Sequence, residues 1–92
     1  MIRSFTHRGL QELFEKGKTK YIPKAHHKRC LSILAVIHSA NSVSQIGLPG
    51  YRLHPLKQYA PLRWSVDVNG PWRITFEFQD GDAYRVELTQ PH

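Results

Sequence analysis

Ninety-two residues, 40% of them apolar and ten of them aromatic, make one small domain over residues 1–92 with a single core and no material for a second. One cysteine, Cys30, excludes an internal disulfide and suits a reducing compartment. The start at Met1-Ile2-Arg3-Ser4 lacks the apolar centre of a signal peptide, so nothing points to export, and polar residues from His38 to Gln45 break the uncharged run from Cys30 to Tyr51 too often for a membrane span; a soluble cytoplasmic protein is expected.

The net charge of +6 is unevenly spread. Between Glu15 and Asp67 the chain holds no acidic residue but nine basic ones: Lys16, Lys18, Lys20, Lys24, Lys28, Arg29, Arg52, Lys57 and Arg63. Such a stretch could be a solvated face that keeps a small protein in solution. The lack of counter-charges favours an anionic partner, and nucleic acid is the commonest one.

In chain order, Ile2 to Phe5 reads as a short strand. Leu10, Leu13 and Phe14 recur at helical spacing, and Gly17 is placed as a stop, so a first helix runs from His7 to Lys16. Pro23 then opens a second helix whose apolar stripe is Cys30, Ile33, Leu34 and Ile37, widened by Leu31 and Val36. Lys24, Lys28 and Arg29 crowd its first turns, where the helix dipole disfavours cations, which suggests that a partner uses them. The segment 41–50 is loop in composition.

Beyond Tyr51 the period changes to two. Leu62, Trp64, Val66 and Val68 alternate with Arg63, Ser65 and Asp67. Trp72, Ile74, Phe76 and Phe78 alternate with Arg73, Thr75 and Glu77, and Tyr84, Val86 and Leu88 with Arg85, Glu87 and Thr89. These are three antiparallel strands with one apolar and one wet face. Keeping the apolar faces together requires Val66 opposite Ile74 and Asp67 opposite Arg73, and so a three-residue loop from Asn69 to Pro71. By the same parity Phe78 faces Tyr84, Glu77 faces Arg85 and Arg73 faces Thr89. That register carries His92 to the Asn69-Gly70-Pro71 end of the sheet, beside Arg73. The fold class is α+β: two N-terminal helices on the apolar face of a small antiparallel meander, the other face open.

No CxxC, GxGxxG, P-loop or HExxH motif occurs, and adjacent His26 and His27 cannot both face one metal from a helix. No metal or cofactor is called for. Arg52, His54, Lys57, Tyr59, Arg63, Arg73 and His92 would instead suit RNA cleavage without metal. In that reaction a base takes the ribose 2'-hydroxyl proton, cations neutralise the phosphate, and an acid protonates the departing 5'-oxygen. His54 and His92 make a candidate acid and base pair. A strand histidine is also an ordinary surface residue, and a terminal one an ordinary chain end.

The opening MIRSFTHRGLQELFEKGKTKYIP, the central YRLHPLK and the block RWSVDVNGPWRITFEFQDGDAYRVEL together resemble the HigB toxins of the RelE/ParE superfamily, across essentially the whole chain. The resemblance implies a RelE/ParE-like fold and a toxin of a type II toxin-antitoxin module that cuts mRNA on the ribosome. Its partners would be the ribosome, mRNA and a HigA-type helix-turn-helix antitoxin, with operator DNA reached only through that antitoxin and no membrane. His54, Lys57, Arg73 and His92 match the family's catalytic positions, and Lys16, Lys18, Lys20, Arg52, Tyr59 and Arg63 are the expected RNA and ribosome contacts. Gln90 and Pro91 stand where the family's usual ending has Asp and Tyr, so that carboxylate and phenol are absent. Two alternatives remain: a weakened relative that only binds antitoxin and ribosome or RNA, and a ParE-like inhibitor of DNA gyrase.

Overall fold

The computed structural model of the protein describes residues 1–90. The first helix, α1, spans Arg8–Lys16. His7 caps it through Nδ1, which accepts from the Leu10 N–H, and Gly17 ends it in the left-handed conformation that a glycine adopts without a Cβ penalty. Pro23 precedes a 3-10 turn, Lys24–His26, instead of opening the second helix directly; α2 follows over His27–Ser39. Cys30, Ile33, Leu34 and Ile37 are fully buried as the periodicity requires, and burial pushes the Cys30 thiol up to about 11. A further 3-10 turn, Val43–Ile46, lies in the loop and buries Ile46.

Four strands, not three, form the sheet: β1 His54–Leu56, β2 Arg63–Asn69, β3 Trp72–Gln79 and β4 Asp82–Thr89, an antiparallel meander in the order β1-β2-β3-β4. Strand β1 has three residues, one of them proline, so it shows no alternation, and it pairs only with β2, as a proline-bearing strand must. The segment Ile2 to Phe5 is reduced to two isolated parallel bridges along the outer side of β4, at Ala83 and Val86. Helices and sheet enclose one core, with Leu10, Leu13, Ile33, Leu34, Ile37, Val66, Ile74, Phe76 and Val86 fully buried. Phe76 alone contributes about 2 to 3 kcal/mol by leaving water. Leu62, expected on the apolar face, falls before β2 and is exposed.

Two bulges correct the expected register. Val66 does face Ile74 and Asp67 does face Arg73, but Asn69 pairs with Trp72 around a two-residue Gly70-Pro71 turn, and a bulge between Asp67 and Asn69 absorbs the parity. In β4, Arg73 faces Thr89 as expected, whereas Phe78 faces Ala83 and Glu77 faces Tyr84. The extra residue lies at Arg85, whose φ is +52°. Its backbone is held from both sides: the N–H donates to Ser4 Oγ at 2.8 Å and the C=O accepts from Arg63 Nη2 at 2.9 Å. The bulge moves Ala83 into the core and turns Tyr84 to the opposite face, reversing the expected placement. Asp80 and Gly81, both at positive φ, make the tight turn between β3 and β4.

Candidate active site

The sheet face turned away from the helices is a cleft of about 860 Å³. Its side chains stand in three rows, each row one residue per strand in register. The middle row is His54, Ser65, Thr75 and Glu87. Two residues along, on one side, come Asp67, Arg73 and Thr89; on the other come Leu56, Arg63, Glu77 and Tyr84. The centre of this face is not open, as the alternation alone suggests. Ser65, Thr75 and Arg63 are buried there by the neighbouring rows.

Each arginine of the cleft carries a carboxylate. Arg73 Nε lies 2.9 Å from Asp67, whose second oxygen holds Arg52 Nε at 3.4 Å. Arg63 Nη1 and Arg85 Nε both reach Glu77 Oε2 at 3.2 Å. The Arg63 Nη2 donates to Thr75 Oγ1 and the Arg85 carbonyl, and Glu87 approaches it no closer than 3.7 Å. Arg63 is thus 7% exposed and its donors are engaged within the protein, which makes it a floor of the cleft. Shared carboxylates hold these guanidinium groups in fixed geometry, a condition for stabilising a developing charge without reorganisation.

His54 is exposed on β1 and lines the cleft. Its Nδ1 lies 2.8 Å from the Arg52 carbonyl. A carbonyl only accepts, so Nδ1 carries the proton and Nε2 is the nitrogen left for proton transfer. Arg52 takes φ +52° to present that carbonyl.

The structure brings His54, Tyr59, Arg63 and Arg73 together in the cleft, with Arg52 joined to it through Asp67. Lys57 lies in the turn directly after β1 and is exposed, outside the cleft's lining. His92 and Pro91, and with them the placement of His92 beside Arg73, lie outside the described residues. Lys16, Lys18 and Lys20 gather elsewhere, around a groove of about 560 Å³ lined also by Arg8, Tyr21 and Lys24; the two sites share no lining residue. Arg8 and Lys20 lie against the Tyr21 ring, with their charges 4.9 and 5.4 Å from its centre. Arg29, read as a partner contact, instead stacks on Tyr51 and donates to the Gly50 and Asp67 carbonyls. Sequence reasoning did not single out Glu77, Arg85 or Glu87; the signal was their position on the wet side of two adjacent strands. Among the described residues no three of His, Cys, Asp and Glu come together as a metal site, and no helix is long and apolar enough to cross a membrane.

A helix-backed antiparallel meander with a cationic cleft on its free face agrees with the family to which the chain is assigned. Residues 3–92 match the HigB-like toxins, described as RelE-like toxins of the type II toxin-antitoxin system HigB. The chain belongs to that family. It is similar to the endoribonuclease HigB of Proteus vulgaris, with 41% identity over 92 residues, the full length of both chains.

Proposed function

We infer that this HigB-like toxin is an endoribonuclease that cuts mRNA on the ribosome, in the cytoplasm, by attack of the ribose 2'-hydroxyl on the adjacent phosphate. The observation that carries the reading is the pairing of a histidine, His54, whose Nε2 is left for chemistry, with Arg73 in the neighbouring row of one cleft. His54 and His92 are the proton-transfer groups, His92 being carried from the family resemblance. Arg73 and Lys57 neutralise the phosphorane, Lys57 swinging from the adjoining turn. Arg52, Tyr59 and Arg63 shape and charge the cleft, and Lys16, Lys18 and Lys20 hold ribosomal RNA by phosphate contacts. A HigA-type helix-turn-helix antitoxin neutralises the toxin and links it to operator DNA.

The test is induction in cells and incubation with programmed ribosomes. Wild type should arrest growth and cut mRNA, and His54→Ala and His92→Ala should do neither. Intact mRNA with wild type, together with ribosome binding, would identify a weakened relative. Inhibition of supercoiling in a ribosome-free assay would instead identify a gyrase inhibitor.

A further inference from the structure

Gln90, which lines the cleft, has an amide that cannot transfer a proton. Two carboxylates, Glu77 and Glu87, nevertheless line the cleft, and Asp67 stands in the row beside it. Asp67 is gripped by Arg73 and Arg52, and Glu77 by Arg63 and Arg85 through one oxygen. Glu87 differs from both: its side chain is 45% exposed, it makes no hydrogen bond among the described residues, and its one cation, Arg63, stands at 3.7 Å. It faces the space in which a substrate would sit.

Its place in the register gives that availability a meaning. Glu87 ends the middle row that His54 begins, and the two residues between them, Ser65 and Thr75, are small. Three strand spacings of about 4.8 Å separate the two backbones by roughly 14 Å. With both side chains lining the cleft, a trough floored by a serine and a threonine lies between an imidazole and a carboxylate. Arg73 flanks the trough in the next row and Arg63 lies under its other side. A phosphodiester laid in it would present its 2'-hydroxyl to one wall and its 5'-oxygen to the other.

We propose that Glu87 is the general base of this toxin and His54 the general acid, acting from opposite walls of one trough on either side of the scissile phosphate. The assignment rests on the nuclease reading above and gives to Glu87 the proton-accepting role that this reading left between His54 and His92. The carboxylate accepts the 2'-hydroxyl proton as the 2'-oxygen bonds to phosphorus. The bond from phosphorus to the 5'-oxygen breaks, its electron pair stays on that oxygen, and the His54 imidazolium protonates it through Nε2. The products are a 2',3'-cyclic phosphate and a 5'-hydroxyl. A carboxylate accepts a proton and an imidazolium donates one, and these capacities give the direction of the two transfers.

The two roles separate when the leaving group needs no proton. Ribosomes are programmed with mRNA carrying sulfur in place of the bridging 5'-oxygen at the position that wild type cuts, since a thiolate leaves unprotonated. On ordinary mRNA, Glu87→Gln and His54→Ala should each lose about 10²- to 10⁴-fold in cleavage rate. On the sulfur-bridged mRNA, His54→Ala should recover by at least tenfold and Glu87→Gln should not. Glu87→Asp, which keeps the carboxylate, should retain more activity than Glu87→Gln, and equal ribosome binding and thermal midpoints would confirm that the fold is intact. Cleavage by Glu87→Gln within about threefold of wild type overturns the assignment, as does rescue of Glu87→Gln by sulfur. Should wild type itself leave mRNA intact, the nuclease reading falls and this one with it, a result distinct from active wild type with active Glu87→Gln.

Discussion

The protein has two cationic surfaces built on opposite principles. In the cleft every arginine is tied to an acidic side chain, Arg73 and Arg52 to Asp67, and Arg63 and Arg85 to Glu77. In the groove beside α1 the one acid, Glu12, is engaged by Arg8 and the Thr19 hydroxyl, and among the described residues no lysine forms an ion pair. Fixed planar guanidinium groups suit chemistry, where geometry must be ready before the charge develops. Uncommitted lysines on flexible stems suit the sequence-independent, salt-sensitive hold on a phosphate backbone. Under the proposed function the labour would be divided, with the cleft setting cleavage rate and the groove setting affinity.

The sharpest way to break that division is Arg73→Ala, expected to lower cleavage by about 10²- to 10³-fold, roughly 3 to 4 kcal/mol of transition-state stabilisation. Ribosome affinity should stay close to wild type in a sedimentation assay, and a parallel loss of affinity would count against separate roles. Arg63→Ala should act on folding instead. It leaves Glu77 held only by Arg85 and strips the donors from Thr75 and the Arg85 carbonyl, at a cost of about 3 kcal/mol measured by urea unfolding. On the groove side, Gly9→Ala would place a Cβ 2.9 Å from His7 Cε1 and 3.0 Å from both Tyr21 Cβ and Ile22 Cγ1. A destabilisation of about 1 to 3 kcal/mol is expected, with weakened ribosome binding as Tyr21 is displaced.

Charge reversal of Lys18 and Lys20 should change stability by less than about 0.5 kcal/mol, while the slope of log affinity against log salt falls by roughly 1 for each phosphate contact removed. Cleavage under saturating ribosomes should be unchanged; an unaltered affinity at low salt would remove the groove from the binding surface. The smallest effect concerns pH. Burial holds the His7 imidazole below the ordinary histidine value of 6.5, against an opposing pull from the Glu87 charge. The folded state therefore favours neutral His7, whose Nδ1 accepts from Leu10. Its contribution to stability is complete above pH 6.5 and declines as pH falls from there through the lowered folded value. His7→Asn, which can still cap α1, should flatten that part of the stability profile.

Much of this was legible in the sequence because it depends on local periodicity. The α1 stop at Gly17, the α2 stripe from Cys30 to Ile37, and the pairing of Val66 with Ile74 and of Arg73 with Thr89 follow from side-chain period and the need to bury one face. The α+β class, the family and His54 as a residue of interest were readable for the same reason, or from whole-chain resemblance. Strand β1 was not, because three residues containing a proline have no period to read.

What only the tertiary structure decided is the shape of the cleft. Alternation places Arg63, Ser65 and Thr75 on a wet face but cannot say that neighbouring rows bury them, since burial depends on what stands across the strands. Nor does it foresee the bulge at Arg85, a left-handed residue held between Ser4 and Arg63, partners 81 and 22 residues away along the chain. That bulge decides that Tyr84 leaves the core side and that Ala83 enters it, while Glu87 keeps the pairing with Thr75 that the Arg73–Thr89 register implies. The sequence by itself determined which residues alternate; long-range hydrogen bonds, which carry no local signature, decided which of them meet.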